Sequence, residues 1–137
     1  MAHLQSVTWN QGTSGKKGTG AATNATVTVD LNTGDFFEID LQDSNADIAT
    51  FTISNPVPAG SATYIGISFV LKITQGSTAR QFVWGSLDSG SGKKRWANQG
   101  SEAPILSTTN NAVDILSFVS YDKGATWWGS VIGLDFQ

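Results

Sequence analysis

Apolar and polar positions alternate along this chain in short runs, each bounded by turn residues. "ATVTVDL" (25–31), "DFFEIDL" (35–41), "IATFTIS" (48–54), "YIGISFVLKI" (64–73) and "RQFVWGSL" (80–87) are rich in β-branched and aromatic residues. That pattern predicts five strands. Two more are predicted over residues 112–121 and 126–136, joined by "DKGA", where Gly124 suits the left-handed position of a short hairpin loop. "NTGD" (32–35) reads as a hairpin turn with Gly34 at positive φ, and "NPVPAG" (55–60) uses two prolines to end a strand. Helical periodicity is nearly absent. The expected fold is all-β, an antiparallel β-sandwich or jelly-roll-like domain over residues 25–137.

Residues 1–24 form the expected extended N-terminal arm. Residues 10–24 are Gly, Thr, Ser, Ala, Asn and Gln around Lys16 and Lys17, a composition for an extended segment rather than a packed one. The arm is either a frayed terminus or a strap across a neighbouring subunit. Leu4 and Trp9 favour the strap, because a segment with nothing to bind rarely carries a Trp. A second irregular stretch, residues 88–107, is Gly/Ser-rich and holds Lys93, Lys94 and Arg95 followed by Trp96. A loop of that length usually has a task.

The final hairpin is apolar on both faces. Alternation sends Val113, Ile115, Val119 and Tyr121 to one side and Leu116 and Phe118 to the other. Trp127 and Trp128 likewise point to opposite faces, so they do not form one flat sugar platform. One is expected in the core and the other in a seam between subunits. Val113, Ile115, Phe118, Trp127, Trp128 and Phe136 are the candidate core and oligomer residues. Trp9, Lys16, Lys17, Lys93, Lys94, Arg95 and Trp96 are the candidate partner contacts, with Trp96 the better exposed aromatic.

Composition narrows the chemistry. The chain has 137 residues, seven Phe and five Trp, enough apolar surface to offset chain entropy in one core. A net charge of −3 argues against a protein built to neutralise nucleic-acid phosphates. No cysteine means no disulfide framework and no thiol nucleophile. The single histidine, His3, lies in the arm, which removes a Ser-His-Asp triad and a His-based metal site. "GSGKKRW" lacks the spacing and the hydroxyl of a phosphate-binding loop.

Two weaker signals come from carboxylates. Glu38 and Asp40 share a strand face at a spacing of ~7 Å, compatible with glycosidase geometry, but alternating charge is the usual pattern of a solvated face. Residues 40–47, "DLQDSNAD", cluster the oxygen ligands calcium favours, without the spacing of an EF-hand. No cofactor, bound metal or membrane partner is expected. No apolar run has the length of a signal peptide or a membrane span, so synthesis without a secretory signal is expected.

Over residues 64–136 the sequence resembles a segment of structural proteins of tailed bacteriophages. A Trp-containing loop is followed by "AP-L-T", "AVDxLSF" and a "DG-T-W-G" hairpin. Trp96, Ala103, Pro104, Leu106, Thr108, Ala112, Val113, Asp114, Leu116, Ser117, Phe118, Asp122, Gly124, Trp127 or Trp128, Gly129 and Phe136 fall in that order. Upstream, "LKITQG" and "RQFVWGS" match the preceding strands. "RWANQG" stands where the pattern has "KWPGG", without its proline. The resemblance implies an all-β virion module, often a homotrimer, from tail fibres and related appendages. Length and layout then suggest a capsid decoration or cement protein bound to the major capsid protein or another virion protein. The alternative is a tail-fibre tip that recognises cell-surface glycan.

Overall fold

A computed structural model describes residues 4–6, 10–11, 25–42, 46–56, 66–84, 93–97 and 103–137. They contain nine strands: β1 (Leu4–Ser6), β2 (Asn10–Gln11), β3 (Ala25–Asp30), β4 (Phe36–Asp40), β5 (Ile48–Ser54), β6 (Ile67–Thr74), β7 (Lys93–Trp96), β8 (Val113–Ser120) and β9 (Thr126–Phe136). One sheet has six strands in the order β1-β4-β6-β8-β9-β7, and the other three in the order β2-β3-β5. Val27, Val29 and Phe51 of the small sheet share one buried cluster with Phe37, Ile39, Phe69, Leu71, Leu116 and Phe118 of the large one. The all-β sandwich expected from alternation is therefore present.

Its pairing is mixed rather than antiparallel throughout. The chain changes sheet at each step from β3 to β6, so β3 lies parallel to β5 and β4 parallel to β6. "NTGD" is accordingly a passage between layers and not a hairpin turn. Asp30 organises it: its carboxylate accepts from Asn32 N at 3.0 Å and Asn55 Nδ2 at 2.8 Å, and its carbonyl accepts from Thr33 N at 3.0 Å. Gly34 stays out of the left-handed region, which Asn55 enters at φ 50° where β5 ends. Residues 31–35 do form a turn, as their chemistry predicts, but not a hairpin. Which sheet the next strand joins depends on where Phe37 and Ile39 find apolar neighbours, a long-range matter.

The strand expected at 80–87 is reduced, among its described residues, to a bridge between Phe82 and Ile48. Arg80 N and Arg80 O are instead bound by the buried side chain of Gln75, at 3.0 and 2.8 Å, a closed clasp that takes their ladder groups. Conversely, Lys93–Trp96, expected as a loop, forms edge strand β7 parallel to the start of β9. The β8–β9 hairpin is as expected, with Lys123 at φ 61° and Gly124 at φ 86° in its loop.

The core is aromatic. Phe69 stacks on Phe118 at 4.8 Å and meets Trp127 edge-on at 5.3 Å, while Phe51 meets Phe82 and Trp84 edge-on at 5.7 and 5.4 Å. Such pairs each add about 0.5–1.5 kcal/mol beyond burial. Phe51 and Phe118, with ring centroids 6.2 Å apart, join the two layers beside the final hairpin.

Candidate assembly surface

The outward face of the large sheet follows from its register. Directly opposed residues share a face, giving the rows Ser68–Val119–Trp128, Phe36–Val70–Ser117–Ser130, Glu38–Lys72–Ile115–Gly133 and Asp40–Thr74–Val113–Phe136. Charge stands at both margins of this face: Lys72 Nζ donates to Glu38 Oε1 at 2.6 Å on the β4–β6 side, and in the register Lys93 and Arg95 of β7 stand opposite Thr126 and Trp128 on the other. Between these margins the β8–β9 members of the four rows are apolar apart from the Ser117–Ser130 hydroxyl pair at 2.7 Å. Trp128 is 48% exposed there, whereas Trp127 on the opposite face is 2% exposed in the core. The two tryptophans face opposite sides of the strand, as alternation predicts, with Trp127 in the core.

Beyond Gly129 no described strand pairs with the outer edge of β9. This tail exposes Val131, Ile132, Leu134 and Phe136. Its register slips twice: Leu116 pairs with Val131 but Ile115 with Gly133, and Val113 then pairs with Phe136. Two extra residues make two bulges, devices that bend an edge away from regular strand addition. The second holds Asp135 at φ 57°. The buried carboxylate of Asp114 fixes it, accepting from Asp135 N at 3.0 Å. Gly133 leaves room for the Phe136 ring, since a Cβ there would clash with its Cζ.

Asp114 also holds the preceding segment, accepting from Ser107 N at 2.8 Å and Ser107 Oγ at 2.5 Å. Residues 103–108 form no strand; side chains pin their backbone instead. Gln81 Oε1 accepts from Leu106 N at 2.8 Å, Gln81 Nε2 donates to Leu106 O at 3.0 Å, and Trp84 Nε1 donates to Pro104 O at 3.2 Å. Leu106 is thereby buried and Ile105 is turned out, 77% exposed. A pinned backbone presenting an exposed apolar side chain loses little freedom on binding.

The other predicted site residues fare differently. Phe118 and Trp127 are core; Val113, Ile115, Trp128 and Phe136 lie on the outward face. Trp96 is corrected as an exposed contact. Its ring is half-buried, 5.2 Å from Trp84 and 5.5 Å from Phe118, over Gly129, where a Cβ would lie 2.5 Å from Cζ3. Lys93, Lys94 and Arg95 belong to edge strand β7, where lysines commonly discourage strand addition. Trp9, Lys16 and Lys17 lie outside the described residues. The sequence around Ile105 carries no signal for its exposure, because its orientation comes from Gln81 and Trp84, which pin Leu106 and Pro104 from a distance.

The carboxylates have structural partners. Glu38 pairs with Lys72, Asp40 Oδ1 accepts from Gln42 N at 2.9 Å, and Asp47 Oδ1 accepts from Gln81 N at 3.0 Å. Asp43 is outside the described residues, among which no group of three or more His, Asp or Glu side chains is placed to hold a metal ion. In the hairpin loop Asp122 Oδ1 accepts from Thr126 N and Ser120 Oγ, both at 2.8 Å. These bonds, led by that from Thr126 N, hold its pKa below the ordinary aspartate value.

Fold and surface together define an all-β two-sheet protein with one apolar, outward-facing hairpin. Compared with known protein families, curated proteins and solved structures, the chain gives no match.

Proposed function

We propose that this chain is a non-enzymatic structural protein of a tailed-phage virion, a decoration or cement protein that acts as a homotrimer on the capsid. One observation carries the reading: the β8–β9 hairpin, within the segment that resembles phage virion modules, buries one face in the core and presents an apolar face outward. The sheet face spans about 15 Å by 20 Å, roughly 300 Å², from strand spacing and rise. A stable interface uses ~800 Å² per partner. The β9 tail and other surfaces must contribute as well. Bound across capsid-subunit junctions, such a protein stabilises the head by mass action, because it binds the assembled shell and not its separated subunits.

Sedimentation and retention on purified capsids test this. A trimer that co-sediments with capsids and raises their disruption temperature is expected; a monomer with no retention overturns the reading. A second reading is a tail-fibre tip that recognises glycan, favoured by the exposed indole of Trp128 in one row with Ser68. It predicts heat in calorimetry against a glycan panel, lost in Trp128→Ala, and particle label only at the tail.

A further inference from the structure

The outward face of β8 and β9 carries one polar step among apolar ones. Along β8 its rows are Val119–Trp128, Ser117–Ser130, Ile115–Gly133 and Val113–Phe136. Same-face neighbours on a strand lie about 7 Å apart, which sets the pitch of the rows. Both serines are half-buried and share one hydrogen bond of 2.7 Å, in which either oxygen can donate. Two hydroxyls bring two hydrogens, and that bond uses one. The second hydrogen has no partner among the described residues.

A partner that covers this face takes the second hydrogen away from water. An apolar covering strands it, at a cost on the order of tenfold in affinity for each copy. A second copy of the chain brings the same pair at the same height. The pair offers a spare donor and spare lone pairs together, the condition for a surface that matches itself. Where the hydroxyl rows of successive copies meet, each spare hydrogen reaches an oxygen of the next copy. About an axis along the strands the bonds close into a ring in which every hydroxyl donates once and accepts once. The apolar rows set no such height, because Val113, Ile115 and Val119 present similar branched surfaces to a sliding partner.

We propose that the Ser117–Ser130 row fixes the register in which copies of this chain associate through their β8–β9 faces. The inference rests on the homotrimer reading and specifies how its seam is aligned. Slipping by one row sets the hydroxyls against Val119 or Ile115 and strands the spare hydrogen of every copy. Adhesion comes from the apolar rows, while the polar row excludes the slipped alternatives, as a single polar residue does inside a coiled-coil seam.

The chain has no cysteine, so introduced thiols report the register alone. Full-length Val113→Cys and Ile115→Cys copies carry thiols in neighbouring rows. On oxidation each variant is expected to form interchain disulfides by itself, and a mixture to form the 113–115 disulfide about tenfold less than the same-position ones. Ser117→Val and Ser130→Val together, placed in both copies, should raise the 113–115 disulfide to a comparable yield while sedimentation shows association kept or tightened. Ser130→Val alone leaves the Ser117 hydroxyl without its partner and should weaken association about tenfold. Ser130→Thr, which keeps a hydroxyl, should retain it. Valine suits a strand, so the denaturation midpoint of the valine variants should stay in place. An assembled parent whose thiols cross-link without selectivity or not at all, or whose valine variants behave as it does, overturns the register role and leaves the trimer standing. A parent that sediments as a monomer removes the trimer and this inference with it.

Discussion

Asp114 ties three parts of the chain at one buried carboxylate: β8, the 103–108 segment through Ser107, and the bulged β9 tail through Asp135. Asp114→Ala leaves those backbone donors without their acceptor in a buried place, at about 1–3 kcal/mol each. Denaturant unfolding should show a loss of about 2–4 kcal/mol. Hydrogen exchange should rise at Ser107 and Asp135 before the core β8 strand. Asp122 gives a pH signature instead. Its folded pKa is lowered, so its contribution is present in full above the ordinary aspartate pKa and is lost as pH falls through the lowered folded value. The melting-temperature gap between the protein and Asp122→Asn is expected to be constant at neutral pH and to close in acid.

Within the final hairpin, the two adjacent tryptophans test the proposed division between fold and assembly. Trp127→Ala removes a ring packed on Phe69 and is expected to cost about 3–5 kcal/mol. Trp128→Ala is expected to change monomer stability by about 1 kcal/mol or less and to weaken self-association, read by sedimentation. Equal destabilisation by both would place Trp128 in the fold rather than in a seam. Alternation made this pair legible in the sequence, because the period of a strand is local information. β7 was not legible: a Gly/Ser-rich context and three basic residues hide a strand whose reason is Trp96, which needs the space over Gly129. Residues 103–108 were opaque for the opposite reason. Their order comes from side chains of Gln81, Trp84 and Asp114, up to 25 residues away, which no pattern within the segment discloses.

Seen whole, the molecule is asymmetric in its defences. Lys93, Lys94 and Arg95 stand on the edge strand that covers the first four residues of β9, and bulges bend the rest of that edge. Both devices discourage strand addition and leave the outward face of β8 and β9 for contact. Sequence alternation reached the sandwich and this face, whereas the crossing of β3 to β6 between layers rests on contacts distant in the chain. The proposal that the face serves a capsid-bound trimer is tested most directly by imaging labelled copies on phage particles made in their presence. Many copies distributed over the head are predicted; label confined to the tail, or particles without label, would contradict it.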